Sequence, residues 1–144
     1  MLDVITWKWR PARGYRSAFG PDTVNVLQRM VARNLRLPHR FTCVTDDPAG
    51  IDPAVRIIPL RDHFASVPNP SNPRNPSCYR RLWLFSDEAR EVLGERIVSL
   101  DLDAVIVGDL TPLFDRPDDF VIWGGQSVKP RAQTYNWYNG SLMM

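Results

Sequence analysis

Apolar positions along this chain fall into short runs separated by proline, glycine and charge. Residues 2–7 alternate loosely and carry Val4, Ile5 and Trp7, residue types that suit a pleated, half-buried surface, so they predict a first strand. Val24, Leu27, Val31 and Leu35 then recur at helical spacing. They predict one apolar face of a helix that Asp22 or Thr23 caps and that runs to about Leu37, where Pro38 stops it. Arg29, Arg33 and Arg36 fall on the opposite side as a solvated face. Residues 40–45 and 55–60 predict a second and a third strand, with Asp46-Asp47-Pro48 and Gly50 marking the turn between them. The pair reads as a turn rather than a metal site, with one of these aspartates a remaining candidate to face a ligand at the sheet edge. Ser77 caps a further helix with Tyr79, Leu82 and Trp83 on one face. Ser86 with Asp87 and Glu88 begins another, which Gly94 ends. Ile97, Val98 and Leu100 form the apolar run of a buried strand. Residues 104–107 are a second apolar run, and residues 120–123 a strand ending in Gly124-Gly125. Strands interleaved with helices predict an α/β domain.

Composition narrows the class. At 144 residues, 44% hydrophobic and 24% charged, the chain is a single globular domain, residues 1–144, or part of one. A net charge of +2 is too small to argue for nucleic acid or an anionic membrane surface, and neither is expected as a partner. Cys43 and Cys78 show neither metal-ligand spacing nor a disulfide pattern, so both read as reduced core or half-buried thiols, which fits a cytoplasmic protein. No apolar run reaches the roughly 20 residues of a membrane span, and the first residues do not read as a signal peptide. The sequence stops at Leu142-Met143-Met144 as an apolar run begins, so the natural domain is expected to continue.

The chemistry concentrates near Asp101-Leu102-Asp103. If the strand stays extended, Asp101 and Asp103 point the same way, between two apolar runs. Like charges so placed lose solvation and repel, and a divalent cation with hard oxygen ligands, magnesium or manganese, is the simplest partner. Their position at the end of an apolar strand is where α/β sheets bind ligands. Gly108-Asp109 reads as a turn, and Thr111-Pro112 as an N-cap followed by the first helical residue. Arg80 and Arg81 sit in the first turn of a helix, where the dipole disfavours cations, so an anion held between them would remove the conflict. The loop 8–20, with Lys8, Trp9, Arg10, Arg13, Tyr15 and Arg16, reads either as a solvated connection or as a wall for a planar, negatively charged ligand. Residues 67–77 hold four prolines and read as a flap beside the site or as an inert surface loop. Asn139-Gly140-Ser141 reads as a turn in which Gly140 permits close backbone approach.

Tyr79-Arg80-Arg81-Leu82, the stretch from Ile97 through Asp101-Leu102-Asp103 to Leu113-Phe114-Asp115, and Tyr138-Asn139-Gly140-Ser141 follow one another in an order that resembles the glycosyltransferases of family 8, the glycogenin and lipopolysaccharide galactosyltransferase group. The match covers about residues 79–144. The resemblance implies a GT-A, Rossmann-like α/β fold with a mostly parallel central sheet flanked by helices. It also implies retaining transfer from a nucleotide-diphosphate sugar, commonly a UDP-sugar, to a glycan, lipid or protein acceptor. Asp101 and Asp103 would hold manganese or magnesium on the diphosphate. Arg81 would help hold the donor, and the backbone around Leu102 would touch the ribose. Thr6 and Trp7 would stand where the family contacts the base, with Tyr15 stacking on it. Asn139 and Gly140 would line the sugar or acceptor side. The family's histidine ligand lies beyond Met144, so the resemblance makes this chain the N-terminal, donor-binding part of a longer one, and it assigns no catalytic base.

Two other readings share these residues. A strand followed by Asp-x-Asp also opens the haloacid-dehalogenase-like phosphatases, in which Asp101 would be the nucleophile. An inactive nucleotide-binding fragment is the other.

Overall fold

The computed structural model describes residues 1–10, 19–70, 73, 77–124 and 138–144. In chain order its elements are β1 (Leu2–Lys8), α1 (Pro21–Asn34), β2 (His39–Thr45), β3 (Arg56–Pro59), a 3-10 helix (Tyr79–Phe85), α2 (Asp87–Leu93), β4 (Ile97–Leu100), α3 (Thr111–Phe114), β5 (Ile122–Gly124) and β6 (Tyr138–Met143). The strands form one six-stranded sheet in the order β3-β2-β1-β4-β6-β5. β1 runs parallel to β2 and β4, and β2 parallel to β3. β6 is antiparallel to both β4 and β5, so the sheet is mixed but mostly parallel. Among the described residues no helix is long and apolar enough to cross a membrane.

Every residue of β1 is buried, because the strand is central and covered on both faces. Leu2 and Val4 face α1, whose Val24, Leu27 and Val31 are fully buried against them. Each such side chain contributes roughly 1.5–3 kcal/mol through removal from water. Ile5 and Trp7, at the alternate positions, pack with Trp83, Ala89 and Leu93 of the 3-10 helix and α2. The alternation of β1 therefore sorts the helices onto opposite faces.

Several boundaries differ from the sequence expectation, each for a local reason. Gly20, not Asp22 or Thr23, is the N-cap of α1, and Pro21 takes the first turn, where its fixed φ suits a helix. α1 ends at Asn34 rather than near Leu37. Leu35 is extended, and the Asn34 carbonyl accepts from the Leu110 N–H at 2.7 Å instead of continuing the helix. The segment Tyr79–Phe85 is a 3-10 helix that buries only Trp83, while Leu82 lies outside, so the expected Tyr79–Leu82–Trp83 face is not one face. The apolar run 104–107 lies outside the sheet. β6 occupies the free side of β4, and this run instead packs Ala104 and Ile106 on the core while Val105 and Val107 are exposed. Thr111 is inside α3. Its N–H is capped by Asp109 Oδ1 at 3.0 Å, and that bond, followed by nearby Arg36, holds the Asp109 carboxyl below its usual range.

The short helix α2 follows its sequence signals closely. Ser86 Oγ accepts from the Ala89 N–H at 3.2 Å, and Gly94 closes the helix at φ +92°, a conformation that side chains rarely adopt. Ser86→Ala is expected to lower stability by about 1 kcal/mol, read as a shift of the urea midpoint at constant slope. An unchanged midpoint would show that the cap adds nothing.

Candidate functional site

The strand order reverses across β1 and β4. The chain passes from β1 through α1 to β2 on one side, and returns from β3 through the 3-10 helix and α2 to β4 on the other. In open α/β sheets the crevice at the carboxyl ends of such strands is where ligands bind. Asp101 is the first residue after β4 and stands at that crevice.

Its surroundings are specific. The Asp101 N–H donates to the Ser141 carbonyl at 3.1 Å, and Ser141 Oγ donates to Asp101 Oδ2 at 2.7 Å. Arg81 Nη1 donates to Asp101 Oδ1 in a close ion pair, with both side chains partly buried. The same guanidinium lies 5.9 Å from the centroid of the Trp9 ring, a cation–π distance. Arg81 Nε is buried and has no hydrogen-bond partner among the described residues.

This geometry corrects the extended-chain argument. Ala104 N–H donates to the Asp101 carbonyl at 3.1 Å, so residues 101–104 form a turn and side chains no longer alternate across a sheet. Asp101 reaches toward the 3-10 helix and β6. Asp103 is exposed and lines an open cleft of about 320 Å³ against Asp22 and Val26 of α1. The charge that the sequence argument left to a cation is supplied by Arg81 at Asp101. Among the described residues no three histidine, cysteine, aspartate or glutamate side chains gather as a metal-binding group. The donor chemistry of the two carboxylates nonetheless fits a hard divalent ion, because magnesium sites typically use one or two carboxylates and take the remaining ligands from phosphates and water.

The two arginines of the 3-10 helix are not brought together around an anion. Arg80 Nη1 donates to the Arg61 carbonyl at 2.9 Å and to Asp62 at 3.1 Å, while Arg81 serves Asp101. Internal acceptors therefore resolve the dipole conflict. Thr6 is fully buried, and its hydroxyl donates to the Leu100 carbonyl at 3.0 Å. Trp7 is a core residue whose ring meets Trp83 edge-on at 6.2 Å. The side chains of both therefore serve the interior. Leu102 is buried with its side chain in the α1-facing core. Gly140 lies exposed in β6, where an added Cβ would make only an ordinary contact with Met143 Sδ at 3.8 Å. Asn139 pairs by backbone with Trp123 in a bulged register, so residues 139–141 are strand rather than turn. Tyr15 lies outside the described residues, as do most of loop 8–20 and the centre of the proline-rich segment.

Ser141, Trp9 and Lys8 complete the neighbourhood, and sequence reasoning gave none of them its present role. Lys8 ends β1 with its side chain 4% exposed, and Nζ donates to the Asp47 carbonyl at 2.7 Å and to Asp47 Oδ2 at 3.1 Å. The hydrogen bond from Lys8, and then its charge, hold the Asp47 carboxyl below its usual range. Asp46 accepts from the Arg10 N–H at 3.0 Å. Asp46-Asp47 is thus a turn tied to the end of β1. Nearby Cys43 is fully buried, and burial pushes its thiol up to about 12, which makes it inert. Cys78 is exposed rather than half-buried.

Comparison of the chain with family models, with curated proteins and with solved structures returns no significant match.

Proposed function

We propose that this chain is a glycosyltransferase of the family 8 type with a GT-A fold, which binds a nucleotide-diphosphate sugar, commonly a UDP-sugar, and transfers the sugar with retention to a glycan, lipid or protein acceptor. The observation that carries this reading is the pairing of Asp101 with Arg81 at the carboxyl end of β4, beside the reversal of strand order. Sugar transfer leaves negative charge on a departing diphosphate, and a cation at that point lowers the barrier. Arg81 is such a cation: its guanidinium contacts both Trp9 and Asp101, and it has planar donors suited to phosphate oxygens. Asp101 and Asp103 are the residues that would hold manganese or magnesium, whose contribution when bound is to neutralise the diphosphate as a Lewis acid. The backbone around Leu102 would touch the ribose. No catalytic base is assigned.

The test is thermal melting of the chain with UDP, with and without manganese chloride. Ligand at a hundredfold excess over its dissociation constant adds about 2.7 kcal/mol of stability by mass action, a shift of several degrees. A shift that grows with manganese in the wild type, and loses that growth in Asp101→Asn and in Asp103→Asn, is the expected result. A manganese-dependent shift that survives both substitutions would overturn the assignment. So would the absence of any UDP shift accompanied by turnover of a simple phosphate monoester, which is the outcome the phosphatase reading requires.

A further inference from the structure

Asp101 is held from two sides by groups of very different rigidity. Ser141 belongs to β6, which is hydrogen-bonded to β4 through Leu100 and Leu142. Its backbone carbonyl accepts from the Asp101 N–H while its own hydroxyl donates to Oδ2, so the two residues are joined twice across one strand pair. Neither bond can be given up without parting β4 from β6 or turning a side chain away from its partner. Arg81 is different. It stands on a 3-10 helix, whose hydrogen bonds are poorer than those of an α-helix, and its long side chain is 23% exposed. Its Nε lacks a partner among the described residues, and its guanidinium also contacts the Trp9 face. Of the two partners, the arginine is the one able to leave.

We propose that Ser141 is a positioning residue that fixes Oδ2 of Asp101, and that Oδ1 is exchanged between Arg81 and a divalent cation, so that the arginine and the cation compete for one carboxylate. The proposal rests on the metal reading above and adds two residue roles to it. Two positive groups cannot share Oδ1 at close range without mutual repulsion. An anionic diphosphate relieves the competition by offering Arg81 other oxygens, and the coupling between anion and cation is then reciprocal. The order of events follows from this: the ligand's phosphates draw the arginine away, and Asp101, held by Ser141 in the same orientation throughout, becomes available to the ion.

The experiment is calorimetric titration of the nucleotide-free chain with manganese chloride, accompanied by its thermal midpoint. Arg81→Met keeps the apolar length over Trp9 and removes the charge; it is expected to tighten manganese binding by about tenfold. Arg81→Gln provides the same comparison if the methionine variant does not fold. Ser141→Ala is expected to weaken manganese binding by about tenfold or more, the usual effect of removing a hydrogen bond that orients a metal ligand. A merely structural serine would lower the midpoint and leave the affinity unchanged. Manganese binding in the wild type that does not tighten on loss of Arg81 overturns the exchange while leaving the metal reading intact. Unchanged affinity in Ser141→Ala overturns the positioning role. If neither the wild type nor the arginine variants take up manganese, the metal reading fails and the proposal fails with it.

Discussion

Asp3→Asn is expected to destabilise the fold by about 3–5 kcal/mol, the effect of breaking a buried ion pair from one side. Asp3 is 1% exposed at the start of β1. Its Oδ2 accepts from Arg40 Nε at 3.0 Å and from Arg40 Nη2, and Arg56 Nη1 stands 3.4 Å away. Its Oδ1 accepts from the Thr42 hydroxyl. Arg56 also donates through both terminal nitrogens to the Val92 carbonyl at 3.1 Å. One carboxylate thus ties β1, β2, β3 and the end of α2 together. Asparagine keeps the volume but presents an amide N–H₂ to groups that are themselves donors, and it leaves both arginines without their counter-charge. The urea midpoint should fall at nearly constant slope, and the melting point by roughly 10–20 °C. Arg40→Ala should cost less, because Arg40 is 35% exposed and Asp3 keeps Arg56 and Thr42. A loss below about 1 kcal/mol for Asp3→Asn would mean that this network is not a lock. The cluster sits at the amino-terminal edge of the parallel strands, away from Asp101, so ligand binding by the remaining folded protein should be unchanged.

How much of this was legible beforehand depends on the length scale of the signal. Val24, Leu27, Val31 and Leu35 were readable because a helix long enough for several turns repeats its pattern, and all four are buried. Ser86 and Gly94 were readable because caps act within three residues. The α/β class was readable from the order of runs. The antiparallel β6 was not, since its partner β4 lies about forty residues earlier and nothing local in Tyr138-Asn139-Gly140 distinguishes a strand from a turn. The Asp101–Asp103 alternation failed because one hydrogen bond, from Ala104 to Asp101, converts an extended segment into a turn. Arg81 was singled out by its conflict with the helix dipole. That the conflict is settled by Asp101, rather than by an outside anion, depends on a contact between residues twenty apart. Lys8 could not be distinguished from an exposed loop residue, because only the position of Asp47 beside it makes burial of its charge tolerable. Long-range polar pairing is the part of the site that local pattern does not encode.

Trp83→Ala carries the other large expectation, a loss of about 3–5 kcal/mol. Trp83 is wholly buried, meets Trp7 edge-on at 6.2 Å and 86°, and donates from Nε1 to Glu88 Oε2 at 2.9 Å. It is also the buried residue of the 3-10 helix, so it is the side chain that fastens that helix to the sheet. Removing it leaves a cavity between β1 and α2 that neither backbone can close cheaply, since every residue of β1 is already packed on both faces. Trp83→Phe should lose much less, keeping the aromatic contact and giving up chiefly the bond to Glu88. The consequence extends to the site, because Arg81 is two residues away on the same element. In Trp83→Ala the amides of Arg81 and Ser86, which donate to the Cys78 and Trp83 carbonyls, should exchange faster with solvent than those of α1, as the helix opens locally before the whole domain does. If Arg81 then loses its fixed approach to Asp101, manganese affinity in the still-folded variant should shift toward that of Arg81→Met. Unaltered exchange at Arg81, or a stability loss below about 1 kcal/mol, would show that the helix is held by something other than this indole.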